Sequence, residues 1–280
     1  MVIFVEQTGP LALIEDLGRP GLAHLGVSPS GAADRSSSAL ANRLVGNPER
    51  AAVIEVTLGG LIIVARQFHW AAITGAPTQL WLNDRPTASH APFALYPGDR
   101  LRVDRPRDGV RNYLAVRGGL RVPKVLGSRS TDVLSGLGPE PLRSGVSIIV
   151  GHTTRSLPGV DLVPPHPASK RLPVLPGPRH DWFTDEAWTL LQETSWTVSA
   201  DANRVAVRLD GPRLNRRITH ELPSEGLIRG AIQVPSAGQP LIFLADHPVT
   251  GGYPVIAVLT ERAADDAAQL RPGDQVSLHG

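Results

Sequence analysis

Glycine and proline punctuate the whole chain: 28 glycines and 26 prolines in 280 residues, dispersed between apolar runs instead of gathered into repeats. Proline removes a backbone donor and glycine weakens element interiors, so the apolar runs between them are held to short strand lengths. AAVIEVTLGGLIIVA, FHWAAITGA, QLWLND, FALYPGDRLRV and NYLAVRGGL read as strands separated by turns. Residues 2–5 and 11–14 precede them and SGVSIIVG follows. Two stretches depart from this pattern. DRSSSALANRLVGN has helical spacing through Leu40 and Leu44 and stops at Gly46. Residues 184–192 read as a short helix with Asp185 and Glu186 in the first turn, where the dipole favours them. The expected class is mainly β with a few short helices.

A chain of this length, 41% apolar and 19% charged, suits two globular domains. The composition shifts at SLPGVDLVPPHPASKRLPVLPGP, which holds seven prolines and little periodicity. The expected division is an N-terminal β-barrel domain over 1–155, a linker over 156–178 and a C-terminal β-barrel domain over 179–280. The halves also echo each other. ALANRLVG (39–46) is answered by ADANRVAV (200–207), and Glu55–x4–Gly60-Leu61-Ile62 by Glu221–x4–Gly226-Leu227-Ile228. ITG (73–75) is answered by VTG (249–251), and LYPGDRL (95–101) by LRPGDQV (270–276). Their common order predicts two related units, with shared turn preference as the competing account.

Several classes are excluded as expectations. Lys and Arg exceed Asp and Glu only by 28 to 26, with no basic run, so nucleic acid is not an expected partner. There is no cysteine, which removes disulfides and thiolate chemistry. No P-loop, H-E-x-x-H or G-x-S-x-G pattern occurs, and no metal cage is expected; His24, His69, His90 and His247 read as structural or exposed. MVIFVEQTGPL lacks a basic n-region and no apolar segment reaches spanning length, so no membrane association and a cytoplasmic location are expected.

Polar residues interrupt three strand-like runs in 225–260. AIQV and LIFLA flank the turn PSAGQ as a hairpin, and VIAVL follows Pro254. Between them, DHPVTGGYP carries Gly251 and Gly252, which allow positive φ and let successive N–H groups point at one spot, a candidate anion or carbonyl-oxygen site. Gln233, Gln239, Asp246, Thr250 and Tyr253 supply amide, carboxylate and hydroxyl groups for a planar polar ligand, against the plainer reading of a hairpin and a turn. Asp16, Asp34, Glu225 and Asp246 lie in glycine-rich loops as candidate bases. In DLGRPGLAHLGVSPSGAAD, Asp16, Arg19, His24, Ser28, Ser30 and Asp34 are polar. Ser30 is either a site residue or a helix N-cap. Arg129, Ser130 and Thr131 in LGSRSTDVLSGLG are placed to hold a phosphate or carboxylate, or form a solvated turn.

GPLALIEDLGRPGLAHLGVSPSGAAD, ANRLVGN, IEVTLGG, YLAVRGGL, LGSRST, SEGLIRGAIQVPSAGQPLIFLADHPVTGGYP and QLRPGDQV together resemble the family of the 5-oxoprolinase C subunit. That family is also called allophanate hydrolase subunit 2, or biotin-dependent carboxyltransferase-like. The resemblance spans nearly the whole chain. It implies two related cyclophilin-like β-barrel domains and a B-type partner protein of related fold, with an A-type protein of the LamB/YcsF kind as a further one. The implied activity is ATP-dependent opening of 5-oxoproline to glutamate by a heteromeric hydrolase. The alternatives are a biotin-dependent carboxyltransferase module of the urea amidolyase type and a non-catalytic antagonist of a kinase inhibitor. One departure stands out: Pro248 and Val249 replace a Gln–Thr pair, while Asp246, Thr250, Gly251, Gly252 and Tyr253 remain. Oxoproline, urea and biotin all present a planar N–C=O group, which needs donors at its oxygen and an acceptor at its N–H. Gln233 or the glycine turn is the expected donor, with Asp246 or Glu225 the acceptor. Arg19, Arg129 and Arg229 are the expected cations for a transferring phosphate.

Overall fold

The computed structural model describes residues 1–153 and 155–280. The chain forms two compact units. Unit 1 comprises Met1–Arg19, Ser30–Asp132 and Gly136–Pro167, and unit 2 comprises Pro20–Pro29, Val133–Ser135 and Ala168–Gly280.

Unit 1 carries β1 (Val2–Thr8), β2 (Leu11–Glu15), α1 (Arg35–Leu44), β3 (Val53–Thr57), β4 (Leu61–Ala65), β5 (His69–Gly75), β6 (Leu80–Leu82), β7 (Arg85–Thr87), β8 (Pro92–Leu95), β9 (Arg100–Val103), β10 (Arg111–Val116) and β11 (Ser147–Ile149). They pair as two sheets, ordered β11-β1-β4-β9-β6-β7 and β2-β3-β10-β5-β8. The period-2 alternation of side chains explains why the second sheet is apolar on both faces. Ile54 and Val56 of β3, Ala71 and Ile73 of β5, and Leu114 and Val116 of β10 join Ile3, Val5, Ile63 and Leu101 of the first sheet in one core. The intervening Val53, Ala72, Tyr113 and Ala115 face the other way and pack with Ala41 and Leu44 of α1.

The start of α1 is built from two side chains. Asp34 is its N-cap, accepting from the Ser37 backbone N–H at 2.9 Å, and the Asp34 N–H donates to the Tyr113 hydroxyl at 2.7 Å. The cap role open to Ser30 therefore falls to Asp34. Ser30 sits at φ 51° and donates to the Thr131 carbonyl at 3.1 Å. Beneath the helix Glu55 accepts from the Ala33 N–H at 3.0 Å and pairs with Arg111 at 3.3 Å, both side chains being buried. Burial pushes the Tyr113 phenol well above its ordinary pKa.

Unit 2 carries β12 (Arg171–Pro176), α2 (Asp185–Glu193), β13 (Trp196–Val198), β14 (Ala206–Asp210), β15 (Glu225–Gly226), β16 (Ala231–Gln233), β17 (Leu241–Phe243), β18 (Thr250–Gly251), β19 (Val255–Leu259), α3 (Glu261–Ala267) and β20 (Gln275–His279). Seven of these strands close into a barrel, β12-β19-β16-β17-β14-β13-β20. The hairpin expected around PSAGQ is β16–β17, with Ile232 opposite Ile242. The proline-rich stretch does not run as a linker to residue 178, because β12 is a barrel strand, parallel to β20 and antiparallel to β19. Its side chains alternate: Leu172 and Val174 are buried, while Pro173 and Pro176 are exposed. Four of the seven prolines precede the strand, which left its period-2 pattern hidden in composition.

Three of the four internal echoes do not join equivalent structures. ALANRLVG lies mostly in α1, whereas ADANRVAV is a turn leading into β14; Glu55 is a strand residue and Glu221 is not; ITG ends a seven-residue strand and VTG includes a two-residue one. Only the Pro-Gly-Asp turns agree. Gly98 and Gly273 sit at φ 91° and 87°, and Asp99 and Asp274 accept from the backbone N–H three residues back at 2.7 and 2.9 Å. That similarity is turn chemistry.

Candidate functional site

A two-stranded ribbon in unit 2 gathers several of the candidate residues. β15 pairs antiparallel with β18, so Glu225 lies opposite Gly251 and Gly226 opposite Thr250. The Leu227 N–H extends the ribbon to the Val249 carbonyl at 2.8 Å. Neither Gly251 nor Gly252 adopts positive φ, so the expected nest of converging N–H groups is not formed. Gly251 is extended by its strand pairing, and a side chain there would displace two neighbouring side-chain ends. A Cβ there would stand 2.7 Å from Gln233 Nε2 and 2.8 Å from Leu227 Cδ1. That space lets buried Gln233 donate from Nε2 to the Tyr253 carbonyl at 2.8 Å, tying the ribbon's exit to the end of β16.

Glu225 is held by Arg179, whose Nε lies 2.9 and 3.0 Å from the two carboxylate oxygens and whose Nη2 also donates to Oε1. This charge-assisted pair holds the Glu225 carboxyl below the usual carboxylate range. Glu225 therefore stays ionised and serves as an acceptor, not as a proton-taking base near neutrality. Arg179 also faces the Trp182 ring, its Cζ 6.0 Å from the centroid, and the His220 ring lies 4.9 Å from Trp182. Tyr253 is 45% exposed, with Arg216 Cζ 5.8 Å from its ring centroid. Burial lowers the Arg216 pKa, and its Nη2 donates to the Val234 carbonyl. The hydroxyls of Tyr253 and Thr250 take part in no hydrogen bond among the described residues. The ribbon thus carries an ionised carboxylate at Glu225 and, on the face opposite it, the Thr250 hydroxyl, with the Tyr253 hydroxyl following β18.

The remaining expected residues are placed elsewhere. Asp246 is fully buried, accepting from Arg204 Nε at 2.9 Å, Arg204 Nη2 at 3.1 Å and the Val133 N–H at 3.1 Å. A carboxylate so enclosed has no face from which to meet a substrate N–H, so the acceptor role expected of Asp246 does not fit this geometry. Arg229 is engaged by Asp265 at 2.6 Å with both side chains buried, which removes it as a phosphate cation. Gln239 lies in the β16–β17 turn and shares no hydrogen bond with the ribbon. In unit 1 the Ser130 hydroxyl donates to Asp16 at 2.7 Å and the Thr131 hydroxyl to the Pro139 carbonyl at 2.9 Å. Arg129 donates its Nε to the Val122 carbonyl at 2.9 Å. These three were expected to hold a phosphate and instead hold the loop. Asp34 caps α1, and Arg19 is buried beside Ser130. An apolar groove of about 350 Å³ lined by Ile14, Val122, Pro139, Leu142 and Ile148 receives none of the candidate residues. Among the described residues no group of three or more His, Asp or Glu side chains is placed to hold a metal ion, and no helix is long and apolar enough to cross a membrane.

Sequence reasoning missed Arg179, Trp182, Arg204, Arg216 and His220. Arg179 and Arg204 reach their carboxylates across 46 and 42 residues, and no local spacing encodes that pairing. Trp182 next to Phe183 after the prolines was the one visible signal of a packed start to unit 2.

Residues 25–280 match the family described as carboxyltransferase domain, subdomain A and B. The chain is 35% identical to the C subunit of Escherichia coli 5-oxoprolinase over 275 residues, covering 97% of this chain and 89% of that one. It is 33% identical to the urea amidolyase of Lachancea kluyveri across 98% of this chain but only 16% of that much longer protein. In structure it superposes on the Kluyveromyces lactis urea carboxylase with a TM-score of 0.91 at 30% identity, over 99% of this chain and 27% of that one. By this end-to-end similarity in sequence and fold, the chain belongs to the carboxyltransferase subdomain A and B family and is a homologue of the 5-oxoprolinase C subunit.

Proposed function

We propose that the chain is the C component of an ATP-dependent, cytoplasmic 5-oxoprolinase that hydrolyses 5-oxoproline to glutamate together with a B-type partner and a further component. The observation that carries this reading is the match along both lengths, 97% of this chain and 89% of its Escherichia coli 5-oxoprolinase counterpart. In the urea amidolyases the corresponding segment is a sixth of the protein.

The ribbon supports the chemistry. Opening a lactam requires the amide resonance to be broken, which donors at the oxygen and an acceptor at the N–H favour. Tyr253 would donate to the oxygen, and ionised Glu225, oriented by Arg179, would accept from the N–H. Gln233 holds the Tyr253 carbonyl in the space beside Gly251. ATP is a different matter. Arg229 is paired with buried Asp265, and Arg129, Ser130 and Thr131 hold their own loop, so the expected phosphate cluster is not assembled from these residues, and ATP handling is assigned to the other components of the enzyme.

A second reading is favoured by the family itself, whose description is a carboxyltransferase. The ureido ring of biotin presents the same N–C=O group and would meet the same hydroxyls. Reconstitution with the partner proteins, assayed for glutamate formed from 5-oxoproline and ATP, separates the readings. Glutamate formation that falls in Tyr253→Phe supports the proposal. No glutamate, with partner binding intact, sinks it and moves the chain to carboxyl transfer or to a regulatory role against a kinase inhibitor.

A further inference from the structure

Within unit 1, Arg19 is 2% exposed, and a guanidinium withdrawn this far from water needs a counter-charge. No carboxylate of the described residues lies in an ion pair with it. Among the described residues Arg19 forms no ion pair; its one hydrogen bond runs from Nη2 to the Ser130 carbonyl, and its buried Nε and Nη1 have no partner. Asp16, three residues away, is engaged by the neighbouring loop. Its oxygens accept from the Ser128 and Ser130 hydroxyls at 2.6 and 2.7 Å and from the Gly18 and Arg129 N–H groups at 2.8 and 2.7 Å. That carboxylate fixes the Ser128–Ser130 loop and is not in an ion pair with the arginine.

The guanidinium is a planar fork with five N–H donors and two edges of two donors each. Nη2 has one hydrogen on either edge, so whichever of them the Ser130 carbonyl takes, the other edge stays complete. A two-donor edge matches the two oxygens of a carboxylate or phosphate. Backbone beside the fork is kept bare by Gly138, at φ 95°. A Cβ on it would fall 2.0 Å from the Ser130 carbonyl oxygen and 3.2 Å from Arg19 Nη2. The geometry points to an oxyanion site in unit 1, with Arg19 as its cation, for the carboxylate of a small organic acid or for inorganic phosphate. It does not depend on the ribbon in unit 2 or on the 5-oxoprolinase reading.

The test uses the full chain alone, without partner proteins, so its outcome is separate from any activity. Thermal melting is followed at constant ionic strength while chloride is replaced by formate, phosphate or 5-oxoproline. The expected result is a saturable rise in Tm with formate or phosphate in the wild type. The apparent affinity should be about tenfold or more weaker in Arg19→Lys, which keeps the charge but loses the fork. A response to formate and 5-oxoproline but not phosphate assigns an organic carboxylate, and the reverse assigns phosphate. A Tm indifferent to all three anions, or an equal rise in Arg19→Lys, overturns the site. If Arg19→Lys does not fold, 15N-arginine labelling of the wild type gives the second reading. One exchange-protected Nε–H resonance should shift saturably with the anion, and its failure to move overturns the site equally.

Discussion

Asp246 and Glu225 are both carboxylates paired with arginine, and exposure alone separates what they can do. Asp246 with Arg204 is wholly buried, so removing one partner strands a charge in the interior. Asp246→Ala should lower stability by about 3–5 kcal/mol in denaturant unfolding. Tyr253→Phe, at a half-exposed hydroxyl, should leave unfolding unchanged while lowering glutamate formation in the complex. Equal stability loss in both would contradict this division. Glu225 has a folded-state pKa depressed from its ordinary 4.5, chiefly by its hydrogen bonds to Arg179. The pair's contribution is therefore fully present above pH 4.5 and is lost as pH falls through the lower folded value. Melting curves below neutrality should show an acid-side loss in the wild type that is smaller in Glu225→Gln. The step should be small because both side chains are about a third exposed. At this scale the sequence exposed residue types well and partners poorly. Tyr253 and Thr250 were legible as polar intrusions among strands, whereas Arg179 and Arg204 act through contacts that only the closed barrel creates.

Among the elements, those with long period-2 or 3.6-residue patterns were readable, as in β3, β10, α1 and the β16–β17 hairpin. β12 was hidden because two exposed prolines sit in a strand whose inward residues are only Leu172 and Val174. Leu172→Ala should cost about 2–5 kcal/mol in unfolding free energy, since it opens a cavity where the barrel closes. A loss under about 1 kcal/mol would mean that β12 is dispensable. α3 was missed because ERAADDA carries no large apolar stripe. Its start is set by Thr260, whose hydroxyl accepts from the Ala263 N–H at 3.3 Å. In the ribbon, Gly251→Ala would force a Cβ against Gln233 and Leu227, costing about 1–3 kcal/mol. It should also lower activity by displacing the Gln233–Tyr253 link. Full activity with normal stability would show that Gln233 does not hold Tyr253.

For the molecule as a whole, the mainly β class and the kinship with the 5-oxoprolinase C subunit could be read from the chain, while the internal echoes could not bear a repeat. Turn chemistry recurs wherever a Pro-Gly-Asp segment must reverse the backbone, and it recurs here without the surrounding elements matching. The reading proposed above has the ribbon of unit 2 bind a lactam within a heteromeric enzyme. The most direct measurement is glutamate release from 5-oxoproline and ATP by the reconstituted complex, comparing wild type with Tyr253→Phe and Glu225→Gln at matched partner binding. The expected result is ATP-dependent glutamate in the wild type and a loss of about tenfold or more in each variant. Undiminished turnover in both variants, or no turnover from an intact complex, would contradict it.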